Sequence, residues 1–401
     1  MFEVRPVADQ EEYGRAIGAI GQYFNPPPSE EFLERFVNTL PHERMHAAFE
    51  GDQIVGGAGV FPFELSVPGG SLPCAGITAV GVHPTHRRRG VLRSMMDTQL
   101  RDIRERGEPI AALWASEETI YGRFGYGPAA WAGDLHVPHE WDAFAEPLEL
   151  GGTARFVTPE EALELFPAIY EAVRRERPGM TSRSEAWWQN RQLRMPGEEA
   201  AAPRRFVVLE LDGSPAAYAI YRTHFSFGEV AVTSRLVVKE ALGATPQATA
   251  AIWRFLLDVD WIATVELSLA PPDHPLQLLL ANPRRAGYRM SDGLWIRLVD
   301  LPAALGGRTY GDGTPLVLEV RDAVCDWNDG RWKLDNGACE RTGEEPDLAL
   351  DVSALGSVYL GAVSFAQLRE ALRVEERRKG AIARADTLFA WRPLPWCLEI
   401  F

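Results

Sequence analysis

The run Arg87-Arg88-Arg89-Gly90 is the part of the sequence best suited to binding a phosphate group. Arginine guanidinium groups donate paired hydrogen bonds to phosphate oxygens. A glycine just before a helix leaves backbone N–H groups open to an anion, and the helix dipole also favours negative charge there. An arginine run by itself is more often a solvated basic surface, so its flanking elements decide the interpretation.

The residues on both sides of this run predict a strand, a loop, a helix and a strand. Residues 77–82 predict a strand. His83 and Pro84 end it, because proline has no N–H group to donate a hydrogen bond to a neighbouring strand. After Gly90, apolar residues recur at spacings of three and four through Ile103, which predicts an amphipathic helix. Residues 110–114 predict another buried strand. This order is typical of a βαβ-like unit and favours a phosphate site at the arginine run.

The same order of elements occurs a second time in the chain. A hairpin is predicted at residues 45–60 and again at 206–221, each around an adjacent Gly and Asp. The second copy continues with elements at 235–238, 246–257 and 264–269. These correspondences predict two copies of one fold. Residues 240–246 take the place of the arginine run and contain no arginine, so the second copy is expected to be structural.

Two tyrosines in a glycine-rich turn are candidates for proton transfer. Tyr121 and Tyr126 stand five residues apart, and packing alone would explain either one. Tyr126 aligns with Tyr288 of the second copy, whereas Tyr121 falls opposite Pro283. Because a residue shared by both copies more often serves the fold, Tyr121 is the better candidate. A tyrosine, with a pKa of about 10, is suited to protonating a departing thiolate.

The last six residues, 396–401, are unusually apolar for a chain end, since termini are normally polar and frayed. This predicts that the C-terminus is buried. An α-carboxylate is a weak base in water, but partial burial raises its pKa and makes it a stronger one. A final edge strand packed for stability is the alternative, and the two interpretations are compatible.

The composition limits the class of partner. The 401 residues are 46% hydrophobic and 24% charged, as expected for a globular protein of two to four domains. The net charge of −15 argues against nucleic acid and is compatible with a cationic substrate, although solubility alone explains it equally well. Neither a signal peptide nor a membrane span is predicted, which indicates a cytoplasmic protein. The four scattered cysteines predict buried thiols and no zinc site.

The segment 77–127 resembles the acyl-CoA-binding region of GNAT N-acetyltransferases, and more specifically that of the Eis (enhanced intracellular survival) family. The resemblance rests on residues 86–92, which follow the predicted strand, and on residues 116–127, which contain Tyr121. Leu92 departs from the general GNAT pattern, which has a small residue at that place, and this departure is similar to Eis proteins. The resemblance covers the whole chain and is most specific in this segment.

The resemblance implies an N-acetyltransferase that uses acetyl-CoA. It implies that Tyr121 is the general acid and that the terminal carboxylate of Phe401 is the general base. The cofactor-binding residues it implies are Val80, Gly81, Val82, Arg88, Arg89, Gly90, Val91, Leu92, Arg93, Ser116 and Glu117. His83 and His86, which flank the loop, are expected only to cap or pack.

The resemblance also implies an α+β fold of three domains. These are a GNAT domain at 1–145, a degenerate GNAT-like domain at 150–297 and a sterol-carrier-like domain at 298–401. The implied substrates are primary amines of aminoglycosides, polyamines or lysine side chains, attacked directly, and the implied assembly is a homo-hexamer.

The alternative is a non-catalytic acyl-CoA or lipid-binding protein whose third domain carries an apolar ligand. A filled core that binds nothing is the simpler expectation for that domain. Its sequence predicts strands at 316–320, 331–334 and 348–352, and a charged helix at 365–377.

Overall fold

The computed structural model describes residues 2–21, 30–194, 202–228 and 232–401. The chain forms two compact units. The first unit comprises Met1–Ala130, Leu294–Pro395 and Glu399–Phe401, and the second comprises Trp131–Gly293 and Trp396–Leu398. Each unit is therefore assembled from segments that are distant in sequence. Among the described residues, no helix combines the length and the apolar character that crossing a membrane requires.

The first segment of the chain forms the predicted hairpin, strand, helix and strand. Its described elements are β1 (Glu3–Pro6), α1 (Gln10–Gly21), α2 (Glu30–Thr39), β2 (Met45–Glu50), β3 (Gln53–Val67), β4 (Gly70–Val82), α3 (Val91–Glu105), β5 (Ile110–Trp114), α4 (Glu118–Tyr121) and β6 (Gly127–Pro128). β3 pairs antiparallel with β2 and β4, and β5 runs parallel to β4. α3 buries Met95, Met96, Leu100 and Ile103, which are residues of the apolar stripe that the spacing predicts.

The second unit repeats this order, which confirms the predicted repeat. Its described elements are β7 (Trp131–Pro138), β8 (Thr153–Phe156), α5 (Pro159–Glu176), α6 (Glu185–Trp187), β9 (Arg205–Leu211), β10 (Ser214–His224), β11 (Arg235–Gly243), α7 (Pro246–Leu257), β12 (Thr264–Ala270), α8 (Leu276–Leu279) and β13 (Arg289–Asp292). β10 pairs antiparallel with β9 and β11, and β12 runs parallel to β11. The elements β9 to β12 with α7 therefore correspond to β2 to β5 with α3.

The chain then returns to the first unit. The described elements are β14 (Leu294–Leu298), α9 (Leu301–Gly306), β15 (Leu316–Arg321), β16 (Gly330–Asp335), β17 (Ala338–Arg341), β18 (Leu348–Asp351), α10 (Val352–Val358), α11 (Phe365–Glu370), β19 (Val374–Glu376) and α12 (Ala381–Phe389). The three predicted strands are confirmed. The predicted helix over 365–377 is wrong beyond residue 370, because Leu372 has a φ of 59° and β19 then pairs with β18.

Each of the two seven-stranded sheets includes one strand that lies outside the corresponding copy in sequence, β14 in the first sheet and β7 in the second. The described strands of the first sheet run β1-β2-β3-β4-β5-β14-β6, and those of the second run β13-β7-β12-β11-β10-β9-β8. β14 thus follows the second copy in sequence but pairs with β5 and β6, while β7 pairs with β12 and β13. A smaller sheet in the first unit runs β17-β16-β15-β18-β19.

Candidate active site

A gap between β4 and β5 opens the first sheet beside the arginine run. The two parallel strands pair only from Cys74 to Gly76, although β4 continues to Val82. Opposite Ala58, β4 carries one extra residue, and Ala79 adopts a φ of 48°. Such a bulge bends the strand and leaves part of its backbone without a partner strand. The edge of β4 that faces the gap can therefore donate and accept hydrogen bonds with a bound molecule.

The arginine loop leads directly into an uncapped helix. Arg88 and Gly90 have φ values of 61° and 88°, so two left-handed residues turn the chain into α3. Gly90 is the N-cap of α3 and gives it no side-chain hydrogen bond. The first intrahelical bond runs from Ser94 N to Gly90 O. The N–H groups of residues 91–93 precede that bond and suit an anion such as a pyrophosphate.

A cavity of about 420 Å³ lies between the loop, the end of β4 and the tyrosine turn. It is lined by Tyr121 and by ten of the eleven predicted cofactor-binding residues, all except Arg89. The other residues that line it are His86, Arg87, Ile120, Arg123 and Phe124. Arginine or histidine occupies five positions of this lining, 86, 87, 88, 93 and 123, whereas Glu117 is its one acidic residue. This lining favours a negatively charged ligand.

Arg89 has a different position from its neighbours. Its guanidinium pairs with the carboxylate of Glu50 at the end of β2 and lies 5.3 Å from the centre of the Phe2 ring. The Nε2 atom of His86 lies 2.8 Å from the Oε2 atom of Glu50. Arg89, and then His86, lower the pKa of Glu50 through these hydrogen bonds. Glu50 thus contacts the residue before the arginine run, His86, and the last arginine of the run, Arg89.

The two histidines also differ from each other. His83 caps the 3₁₀ turn that precedes the arginines, since its Nδ1 atom accepts from Thr85 N at 3.4 Å. His86 is buried, lines the cavity and contacts Glu50. Sequence reasoning missed Glu50, because it lies 36 residues before His86 and carries no local motif.

The two candidate tyrosines of the glycine-rich turn have different surroundings. Tyr121 ends α4, is 6% exposed and lines the cavity. Tyr126 is fully buried, and its hydroxyl has no hydrogen-bond partner among the described residues. Burial raises the pKa of Tyr126 well above its usual value, so its hydroxyl stays protonated. The two rings lie 6.1 Å apart between centres, and the one that reaches the cavity is Tyr121.

Phe401 lies on the first sheet where β4 leaves β5. Its ring centre is 5.0 Å from that of Phe63 and 6.5 Å from that of Phe61, in edge-on arrangements. The residue is half-buried, and no strand is formed by residues 390–401. The alternative of a final edge strand is therefore wrong, because the chain end is held by packing of side chains. Phe401 is not among the residues that line the 420 Å³ cavity.

Three segments of the chain match models of known families. Residues 3–129 match an acetyltransferase (GNAT) domain, and residues 179–298 match a second acetyltransferase (GNAT) domain. Residues 301–398 match a sterol carrier protein domain. The two GNAT matches cover the two copies recognised from the repeat.

Relatives resemble the chain over most of its length. An uncharacterized N-acetyltransferase of Streptomyces coelicolor is 39% identical over 396 residues, which cover 96% of this chain and 95% of the relative. The N-acetyltransferase Eis of Mycobacterium tuberculosis is 36% identical over 354 residues, or 85% of this chain and 84% of the relative. The crystal structure of Eis1 from Mycobacterium abscessus superposes with a TM-score of 0.88 at 33% identity, with complete coverage of both chains.

Proposed function

The chain belongs to the Eis family of GNAT N-acetyltransferases, and from that premise we propose that it transfers the acetyl group of acetyl-CoA to a primary amine of a small cationic substrate. GNAT acetyltransferases use acyl-CoA as the donor. The observation that carries the proposal is one cavity that joins the bulged strand, the uncapped helix and Tyr121. Each of these features suits a different part of an acyl-CoA molecule.

The pyrophosphate of the donor is assigned to the start of α3. The N–H groups of residues 91–93 and the side chains of Arg88 and Arg93 supply donors and positive charge there. The pantetheine arm is assigned to the backbone of residues 80–82, on the edge of β4 that faces the gap. Ser116 and Glu117 also line the cavity.

The proposed reaction is a direct transfer without an acyl-enzyme. The neutral amine attacks the thioester carbonyl carbon, a C–N bond forms and the C–S bond breaks. Tyr121 gives its phenolic proton to the departing thiolate, and the amine proton passes to the carboxylate of Phe401. Tyrosine is a weak enough acid to remain protonated until the thiolate develops.

The substrate class follows from charge and from the family. The net charge of −15 favours the approach of a cation, and aminoglycosides, polyamines and lysine side chains all offer primary amines. A homo-hexamer, implied by the family resemblance, belongs to the same proposal. Mass spectrometry of products from a panel of such amines with acetyl-CoA tests the substrate class directly.

Replacement of one tyrosine hydroxyl tests the mechanism. Tyr121→Phe is expected to lower kcat roughly 100-fold or more, the usual range for loss of a general acid. Tyr126→Phe is the matched control, because the Tyr126 hydroxyl makes no hydrogen bond among the described residues. Thiol release from acetyl-CoA measures both variants. Full activity of Tyr121→Phe would remove the general-acid role, and loss of activity in both variants would indicate a structural effect of the turn.

A further inference from the structure

The C-terminal residue is held by an aromatic cluster that belongs to the first sheet. We define this aromatic cluster as Phe61, Phe63 and Phe401 together with Gly76, which lies next to the rings of Phe63 and Phe401. Phe61 and Phe63 stand two residues apart on β3 and so project from the same face. Phe61 pairs with Gly76 across β3 and β4. Phe36 of α2 packs behind Phe61, with the ring centres 6.0 Å apart.

The ring of Phe401 packs edge-on against both phenylalanines of β3. The interplanar angle is 68° with Phe63 and 89° with Phe61. These angles and the centre distances of 5.0 and 6.5 Å match the preferred geometry of aromatic pairs, in which a positive ring edge meets a negative face. Phe61 and Phe63 are buried, whereas Ile400 is 62% exposed. The ring of Phe401, rather than the side chain before it, therefore packs the last residue against the sheet.

Gly76 provides the room that this packing needs. A Cβ atom at position 76 would lie 2.4 Å from the Phe63 ring and 3.3 Å from the Phe401 ring. The first distance is far below a van der Waals contact, so any larger residue at position 76 would displace the Phe63 ring. Gly76 also forms the last pair between β4 and β5, with Ala112. The cluster thus stands at the beginning of the gap between these strands.

We propose that Phe63 and Gly76 are positioning residues for the C-terminal carboxylate, which they hold by fixing the ring of Phe401. The inference rests on the proposed function, in which this carboxylate is the general base. In a terminal residue the Cα atom carries both the ring-bearing Cβ and the carboxyl carbon, each one bond away. A ring packed against two phenylalanines therefore restricts the carboxylate, which at an ordinary chain end would fray. General-base catalysis needs such placement within hydrogen-bond reach of the amine.

The test compares a displaced carboxylate with an unanchored one. Two glycines added after Phe401 move the carboxylate, and we expect kcat to fall 100-fold or more. Phe63→Leu, Gly76→Ala and Phe401→Leu keep the chain length and the terminal carboxylate of residue 401 but weaken its anchor, and we expect each to lower kcat about 10-fold or more. The KM for acetyl-CoA is expected to stay within twofold in all of them, because the cluster does not line the cofactor cavity. Phe401→Tyr keeps an aromatic ring and should lower kcat less than Phe401→Leu does.

Two controls separate positioning from general loss of stability. Ile252→Ala removes a fully buried side chain of α7, in a core cluster without C-terminal residues, and should lower the melting temperature without lowering kcat. Phe401→Leu changes a half-buried chain end, so it keeps the test valid if Phe63→Leu does not fold. If the glycine extension is inactive while Phe63→Leu and Phe401→Leu retain full kcat, the positioning inference is wrong and the carboxylate mechanism stands. If the extension retains full kcat, the carboxylate mechanism itself fails.

Discussion

The two copies of the repeat differ most at the start of the helix that follows the third strand. In the first copy, α3 begins after Gly90 and has no side-chain cap. In the second copy, α7 begins after Thr245, whose hydroxyl accepts from Ala248 N at 3.1 Å. The second helix therefore satisfies one of its own N-terminal donors, whereas the first leaves these groups for a ligand. Under the proposed function, the same scaffold therefore serves binding in one copy and stability in the other.

The copies also differ at the bulge in the third strand. In the first copy, the bulge leaves Val80 and Gly81 in the lining of the cavity. In the second, β11 has an extra residue between the partners of Ile220 and Tyr221, and the buried Glu240 follows it. Glu240 accepts from the guanidinium of Arg183 at 2.9 Å and from the hydroxyl of Tyr218. A side-chain network thus fills the interior at the position where the first copy has backbone open to a ligand.

The ion pair of the second copy should carry the largest effect on stability. The side chains of Arg183 and Glu240 are 0% and 1% exposed, and the guanidinium also lies over the rings of Tyr170 and Trp188. Removal of Glu240 leaves the buried guanidinium of Arg183 without a counter-ion, which costs about 3–5 kcal/mol. We expect Glu240→Ala to lower the free energy of unfolding by that amount, as measured by urea titration.

The matched control in the first copy is Glu50→Ala. Glu50 is an exposed residue, so its replacement should change the free energy of unfolding by less than about 0.5 kcal/mol. It should instead weaken acetyl-CoA binding, because Glu50 contacts both His86 and Arg89 of the loop. An unchanged unfolding midpoint for Glu240→Ala would show that the second copy does not depend on its buried pair.

Replacement of two neighbouring arginines should change the KM for acetyl-CoA to different extents. Arg88 lines the cavity, whereas Arg89 pairs with Glu50 and does not line it. Because hydrogen bonds between charged groups contribute about 1.5–3 kcal/mol, Arg88→Ala is expected to raise the KM for acetyl-CoA about 10-fold or more. Arg89→Ala acts only through the loop, so we expect about threefold. Initial rates at varied acetyl-CoA concentration and low salt measure both, and a larger effect of Arg89→Ala would mean that this side chain leaves Glu50 for the donor.

The sequence was sufficient for the features that depend on local pattern. The apolar stripe of α3, the strands around it and the missing arginines of the second copy all follow from periodicity and residue type. Contacts between distant residues were not predictable in this way. The Arg89–Glu50 pair spans 39 residues, and β14 joins β5 from the far end of the second copy. Local pattern failed once even at short range, where pairing with β18 ends the predicted helix at 365–377.

The packing of Phe401 is one of the contacts between distant residues that the sequence did not predict. An apolar chain end predicted burial, but nothing in residues 396–401 identifies Phe63 as the contact. The family resemblance pointed to the carboxylate, and the proposal above assigns its support to the aromatic cluster. Long-range packing of this kind depends on the register of β3 and β4, which a single sequence does not fix.

The smallest predicted effect compares the two helix starts directly. Gly90 has a φ of 88°, and an added Cβ would meet no atom within 4 Å, so Gly90→Ala costs only backbone strain of about 1 kcal/mol. Thr245→Ala removes the cap of α7 and should also cost about 1 kcal/mol. The two variants are therefore expected to lose similar stability in urea titrations, while only Gly90→Ala raises the KM for acetyl-CoA, by about two- to threefold. An equal rise in KM for Thr245→Ala would contradict the assignment of donor binding to the first copy alone.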